Sequence, residues 1–151
     1  MRTTRTVRLP AMALRCGAVR CGAVRDDNEM SGALPVLIVD AANVVGSWPD
    51  GWWRDRHGAA ARLRDSLEPL AEDHEVILVV ESQARRVAST DDIDVIAAPG
   101  SGDDEIVRVA ADMAARGRRV TVVTADRELR RRLSETGAEL AGPRTLPYSG
   151  R

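Results

Sequence analysis

The sequence predicts an α/β fold, a three-layer α/β/α sandwich around a mostly parallel sheet of four to five strands. Three observations carry this expectation. The runs Val36-Leu37-Ile38-Val39, Val76-Ile77-Leu78-Val79-Val80 and Val120-Thr121-Val122-Val123 are short, β-branched and nearly unbroken, as strands buried on both faces of a parallel sheet are. Stretches with helical spacing separate them, at intervals suited to β-α crossovers. The strands also end near carboxylates: Asp40 closes the first, Glu81 the second, and Asp126 follows the fourth. Open α/β sheets place their ligands at that carboxyl edge.

Taken in order, residues 1–30 stand apart from the fold. They are basic, lack sustained periodicity, and contain the direct repeat of Arg-Cys-Gly-Ala-Val at 15–19 and 20–24. Leu9 to Leu14 is too short for a signal-peptide core, so the reading is an upstream-extended start with Met30 as the natural beginning, and disorder over 1–30. The domain is expected over 31–146. Strand one covers about 36–40, followed by a loop rich in Trp, Pro and Gly. A helix near 56–72 carries Ala60, Leu63, Leu67 and Leu70 on one face. Strand two is 76–80, and a polar stretch runs from Ser82 to Asp92. Strand three spans about 93–97, and a helix over about 102–116 turns Ile106, Val109, Ala110 and Met113 inward and closes at Gly117. Strand four is 120–124. Asp126 caps a short helix through Glu135, closed by Gly137, and 138–140 adds an edge strand. Residues 147–151 are a tail.

Composition narrows the chemistry. The chain of 151 residues suits one compact domain, and no apolar run approaches the roughly 20 residues that span a bilayer. All 22 basic residues are Arg, which excludes a phosphate-loop Lys, a Schiff-base Lys and a Ser-Lys dyad. Six Arg and no acid fall within residues 1–25, leaving 16 Arg against 23 acids from residue 26 onward. A domain this acidic holds a polyanion only through a metal or a local Arg patch. Cys16 and Cys21, the only cysteines, fit neither a zinc site nor a disulfide framework, so a reducing cytoplasm is the expected location. His57 and His74 lack a partnered Ser or Cys and receive no catalytic role.

If the strand ends are neighbours, several carboxylates converge and repel one another unless a divalent cation joins them. Hard cations such as Mg²⁺ or Mn²⁺ take oxygen ligands, with water and substrate phosphate completing the shell. The candidate metal ligands are Asp40, Asp103, Asp104 and Asp126. Asn43 is a neutral ligand or orienting group, and Glu81 and Glu105 stand behind them. Each also has a local role open to it. Asp126 caps a helix, Ser101-x-x-Asp104 fits a capping box, and Asp40-Ala-Ala-Asn43 fits a turn.

Three segments, Val-Asp-Ala-Ala-Asn-Val-Val at 39–45, Gly-Asp-Asp-Glu-Ile at 102–106 and Val-Val-Thr-Ala-Asp-Arg-Glu-Leu at 122–129, resemble the signature segments of NYN domains in the PIN-like superfamily of metal-dependent ribonucleases. The similarity spans about residues 35–142. It implies a 3-2-1-4-5 strand order and catalytic roles for Asp40, Asn43, Asp104 and Asp126. Where some relatives carry a further acid, four residues after the last aspartate, this chain has Arg130.

Trp48, Trp52 and Trp53 lie within six residues, just after the first acidic segment. Exposed, they would stack unpaired bases, with Arg54, Arg127 and Arg130 meeting phosphates. Buried, they would cover the sheet edge or the first helix. The leading functional expectation is a metal-dependent endoribonuclease, or a nuclease of single-stranded nucleic acid, using metal-activated water. Two alternatives stay open: a nucleotide pyrophosphohydrolase using the same metal, and a non-catalytic RNA-binding or partner-binding domain. A homo-oligomer and an antitoxin-like partner are both left open, and no membrane association is expected.

Overall fold

In the computed structural model, residues 33–49 and 51–148 are described. The expected leader over 1–30 and the last residues of the tail lie outside them. Five parallel strands form one sheet in the order β3-β2-β1-β4-β5. They are β1 (Val36–Asp40), β2 (Glu75–Val80), β3 (Ile93–Ala97), β4 (Val120–Val123) and β5 (Glu139–Ala141). The helices are α1 (Ala41–Gly46), α2 (Arg56–Ser66), α3 (Gly102–Ala115) and α4 (Arg127–Leu133), with short 3-10 turns between elements.

Strand alternation builds the three layers. Leu37 and Val39 of β1 join Val76, Leu78 and Val80 of β2 in a core beneath α1 and α2, with Ala59, Ala60 and Leu63. Val36 and Ile38 face the other way, with Ile77 and Val79, into a core closed by Ile106, Val109 and Ala110 of α3 and by Leu129 and Leu133 of α4. All five residues of β1 are buried, which explains a strand without polar alternation. By the same parity Asp40 lies on the α3 side.

The differences from the sequence reading have local causes. The expected loop after strand one begins as α1, because the Asp40 carboxylate accepts the Asn43 N–H and caps it. The expected helix over 56–72 stops at Ser66 and continues as a 3-10 turn over Glu68–Glu72. Pro69 lies inside that turn and cannot supply the next helical N–H. At the close of α3, Gly117 takes φ +81, a left-handed position that glycine occupies without strain. The packed chain extends past 146: Tyr148, expected in the tail, is 5% exposed and belongs to the core under α2.

Register fixes the carboxyl edge. Asp40 pairs with Val79 of β2, and Val39 with Val123 of β4, so Thr124 stands level with Asp40. Glu81 follows the last residue of β2. The ends of the three central strands therefore open onto one rim.

Candidate active site

Asp40 is the centre of that rim. It is 4% exposed, and it sits where strand ends and helix begins. Its Oδ1 accepts the Asn43 N–H at 3.3 Å and its Oδ2 accepts the Thr124 hydroxyl at 3.0 Å. Burial raises its pKa from 3.8 to about 6; these two hydrogen bonds pull it down, and the charges of Asp103 and Glu81 add to the rise.

Thr124 links two of the acids. Fully buried, it donates to Asp40 and its Oγ1 accepts the Asp126 N–H at 3.1 Å. Asp126 in turn caps α4, its Oδ1 accepting the Leu129 N–H at 3.0 Å. Asn43 braces the same turn from across the sheet, its Oδ1 accepting the Ala125 N–H at 2.8 Å. The first and fourth strand ends are thus one hydrogen-bonded unit.

The paired acids of α3 divide. Ser101 caps the helix, its hydroxyl accepting the N–H groups of Asp103 and Asp104. Asp103 turns toward the rim. Burial raises its pKa, Asp126 and Glu81 raise it further, and Arg132 opposes them. Asp104 turns outward and accepts from Arg132 Nη2 at 2.9 Å, its side chain 72% exposed. Glu105 pairs with Arg108 along the same helix at 2.5 Å. Glu81 Oε1 accepts the Gly102 N–H at 3.2 Å, and a Cβ at Gly102 would stand 3.0 Å from Glu81 Oε2, so glycine there admits the carboxylate.

Among the described residues, no group of three or more His, Cys, Asp or Glu side chains is arranged to hold a metal ion. The donor set nevertheless suits a hydrated hard cation. All its donors are oxygen, the charges of Asp103 and Glu81 raise the Asp40 pKa, and Mg²⁺ usually takes only one or two carboxylates directly.

The residues expected to contact nucleic acid separate as well. Trp48 packs edge-on to Tyr148 at 6.4 Å, under the Arg144 guanidinium at 3.9 Å. Trp52 packs against the core and carries Arg56 over its ring at 5.3 Å. Trp53 is 54% exposed beside Arg54. Arg130 Nε donates to the Thr124 carbonyl at 2.9 Å, which ties it to the β4–α4 turn, and Arg127 is exposed at the first position of α4. Sequence reasoning missed Thr124, whose place two residues before Asp126 was a usable signal, and Arg132, which sat unremarkably in an Arg run.

No family model matches this chain, and no curated protein matches it. Among solved structures it is similar to Rae1 (YacP) from Bacillus subtilis, with a TM-score of 0.63 and 19% identity over 74% of this chain and 70% of that one. The W164L mutant of the same protein gives a TM-score of 0.50 at 20% identity, over 72% and 69%. The likeness shows the fold alone, an α/β chain whose five parallel strands run in the order 3-2-1-4-5.

Proposed function

We propose that this protein is a metal-dependent nuclease that hydrolyses phosphodiesters of RNA or other single-stranded nucleic acid. The observation that carries the proposal is the buried Asp40 carboxylate, held by Thr124 and Asn43 at the carboxyl edge within the field of Asp103 and Glu81. The PIN-like fold is consistent with it. Asp40 with Asp103 or Asp126 would hold Mg²⁺ or Mn²⁺, one or two of them directly and the rest through the ion's own waters. When bound, the cation supplies charge neutralisation at the phosphodiester and acidifies water.

The protein's own part is positioning. The Thr124 hydroxyl fixes Asp40 Oδ2, and the same oxygen fixes the turn that carries Asp126. Asn43 commits its Oδ1 to Ala125, which leaves its amide N–H groups directed by that bond to orient a phosphate oxygen or water. Glu81, tied to the start of α3 through Gly102, keeps the second carboxylate-bearing element against the strand edge.

The test is cleavage of end-labelled single-stranded RNA with Mn²⁺. Cleavage should disappear with chelator and fall about 10²–10³-fold in Asp40→Asn, the size of losing one preorganised electrostatic group. Turnover that persists in chelator overturns the proposal. One observation favours a second reading, a non-catalytic RNA-binding domain: Arg132 neutralises Asp104. RNA binding that survives chelation, with no product under any metal, would select it.

A further inference from the structure

A cavity of about 220 Å³ opens on the α1–α2 side of the carboxyl edge, with Glu81 as its one acidic lining residue. Its walls are the side chains of Ala41, Val45, Ala60 and Ala84, and Trp52 lies along one side. Arg56 stacks on that ring, and Glu81 and Ser82 supply the polar rim. The volume is below the roughly 300–1,000 Å³ of sites for drug-sized ligands and well above the roughly 10–15 Å³ that one water needs. It suits one flat ring system.

Continuity ties the cavity to the site. Ala41 directly follows Asp40, and Glu81 acts on both. Beyond Ser82 lies an open basin lined by His57, Gln83, Arg85 and Arg86. Ser82, shared by the two, is the one described non-glycine residue with a positive φ, +54°, a strained conformation of the kind that collects at functional sites. The surface therefore runs from acids to an aromatic-sided apolar slot to a basic shelf. In a strand of nucleic acid, two successive phosphates flank one sugar, which carries its base to the side.

We propose that the cavity is a nucleobase subsite. One base beside the reacting phosphodiester enters the slot lined by Ala41, Ala42, Val45 and Trp52, away from Gly46, where the Trp52 ring already packs against α1, while the next phosphate meets Arg85 and Arg86. The direction of the strand rests on the nuclease reading, but base recognition can be measured without cleavage.

The experiment is fluorescence anisotropy in EDTA, comparing a short labelled single-stranded RNA with a chain of the same length that lacks bases. The RNA should bind at least about tenfold more tightly, as expected for a stacked base. Ala42→Leu, at an exposed position on the cavity wall, should bring RNA down to the affinity of the abasic chain. Equal affinities for the wild-type protein, or a preference that survives in folded Ala42→Leu, overturn the proposal. Should Ala42→Leu fail to fold, tryptophan quenching in a Trp53→Phe background decides. Quenching by nucleoside monophosphates but not by ribose 5-phosphate supports the subsite; equal or no quenching removes it. A base preference without Mn²⁺-dependent cleavage sinks the nuclease reading and leaves the subsite standing.

Discussion

Asp40→Asn should make the cation-free protein more stable at neutral pH, although it removes the carboxylate at the centre of the site. Burial holds the Asp40 pKa near 6, against 3.8 ordinarily. The raised pKa means that the folded state keeps its proton longer than the unfolded chain. Below pH 3.8 the carboxyl is protonated in both states and costs nothing. Between 3.8 and 6 the unfolded state ionises first, and stability falls as pH rises. Above 6 the whole cost is present, about 3 kcal/mol for a shift of this size. The Asn amide removes that charge. Its oxygen still accepts the Asn43 N–H, but its NH₂ meets a Thr124 hydroxyl that must turn to accept, a loss of about 1 kcal/mol. The net gain is therefore about 2 kcal/mol at pH 8, fading to zero or slightly below it near pH 4. Urea denaturation in EDTA, followed by circular dichroism across that range, reads it directly. Because both proteins carry the same other acids, groups uncoupled to Asp40 cancel in the difference. A loss of stability at pH 8, or a gain that does not change with pH, would refute the reasoning.

Thr124→Val should cost about 1–3 kcal/mol in urea denaturation, because it strips the partner from Asp40 Oδ2 and from the Asp126 N–H inside the protein; Thr124→Ser should retain most of the stability. Arg132→Ala should change stability by no more than about 0.5 kcal/mol, since its partner Asp104 is exposed. The same variant should raise the Asp103 pKa in a carboxyl NMR titration, because Arg132 holds it down. Arg144→Ala should remove about 0.5–2 kcal/mol of cation–π contact with Trp48 and speed amide exchange over residues 143–148. Unchanged exchange there would show that the contact does not anchor the segment.

Much of this was legible in the sequence because it rests on local pattern. The strand end at Asp40, and the one that precedes Asp126, follow from where β-branched runs stop, and the parallel arrangement from the helices between them; the strand order came only with the resemblance to NYN domains. The cap at Asp126 is a three-residue relation and could be read directly. Helix phase could not. Asp103 and Asp104 are adjacent in one first turn, about 100° apart around the axis, and only the packing of α3 decides which faces Asp40. The α1 helix was hidden for a related reason. Ala-Ala-Asn-Val-Val-Gly has β-branched residues and a terminal glycine, so its six residues form a helix only with the Asp40 cap and a core beneath them. Trp48 illustrates distance: Arg144 and Tyr148, about a hundred positions later, determine that its ring is covered.

The central claim is that acids from separate strand ends act as one divalent-cation site. Calorimetric titration of the wild-type protein with Mn²⁺ at pH 7.5 tests it, alongside Asp40→Asn and Asp126→Asn. The account predicts one saturable binding event in the wild-type protein that either substitution abolishes. Binding that persists unchanged in both variants, or none in the wild-type protein, would contradict it.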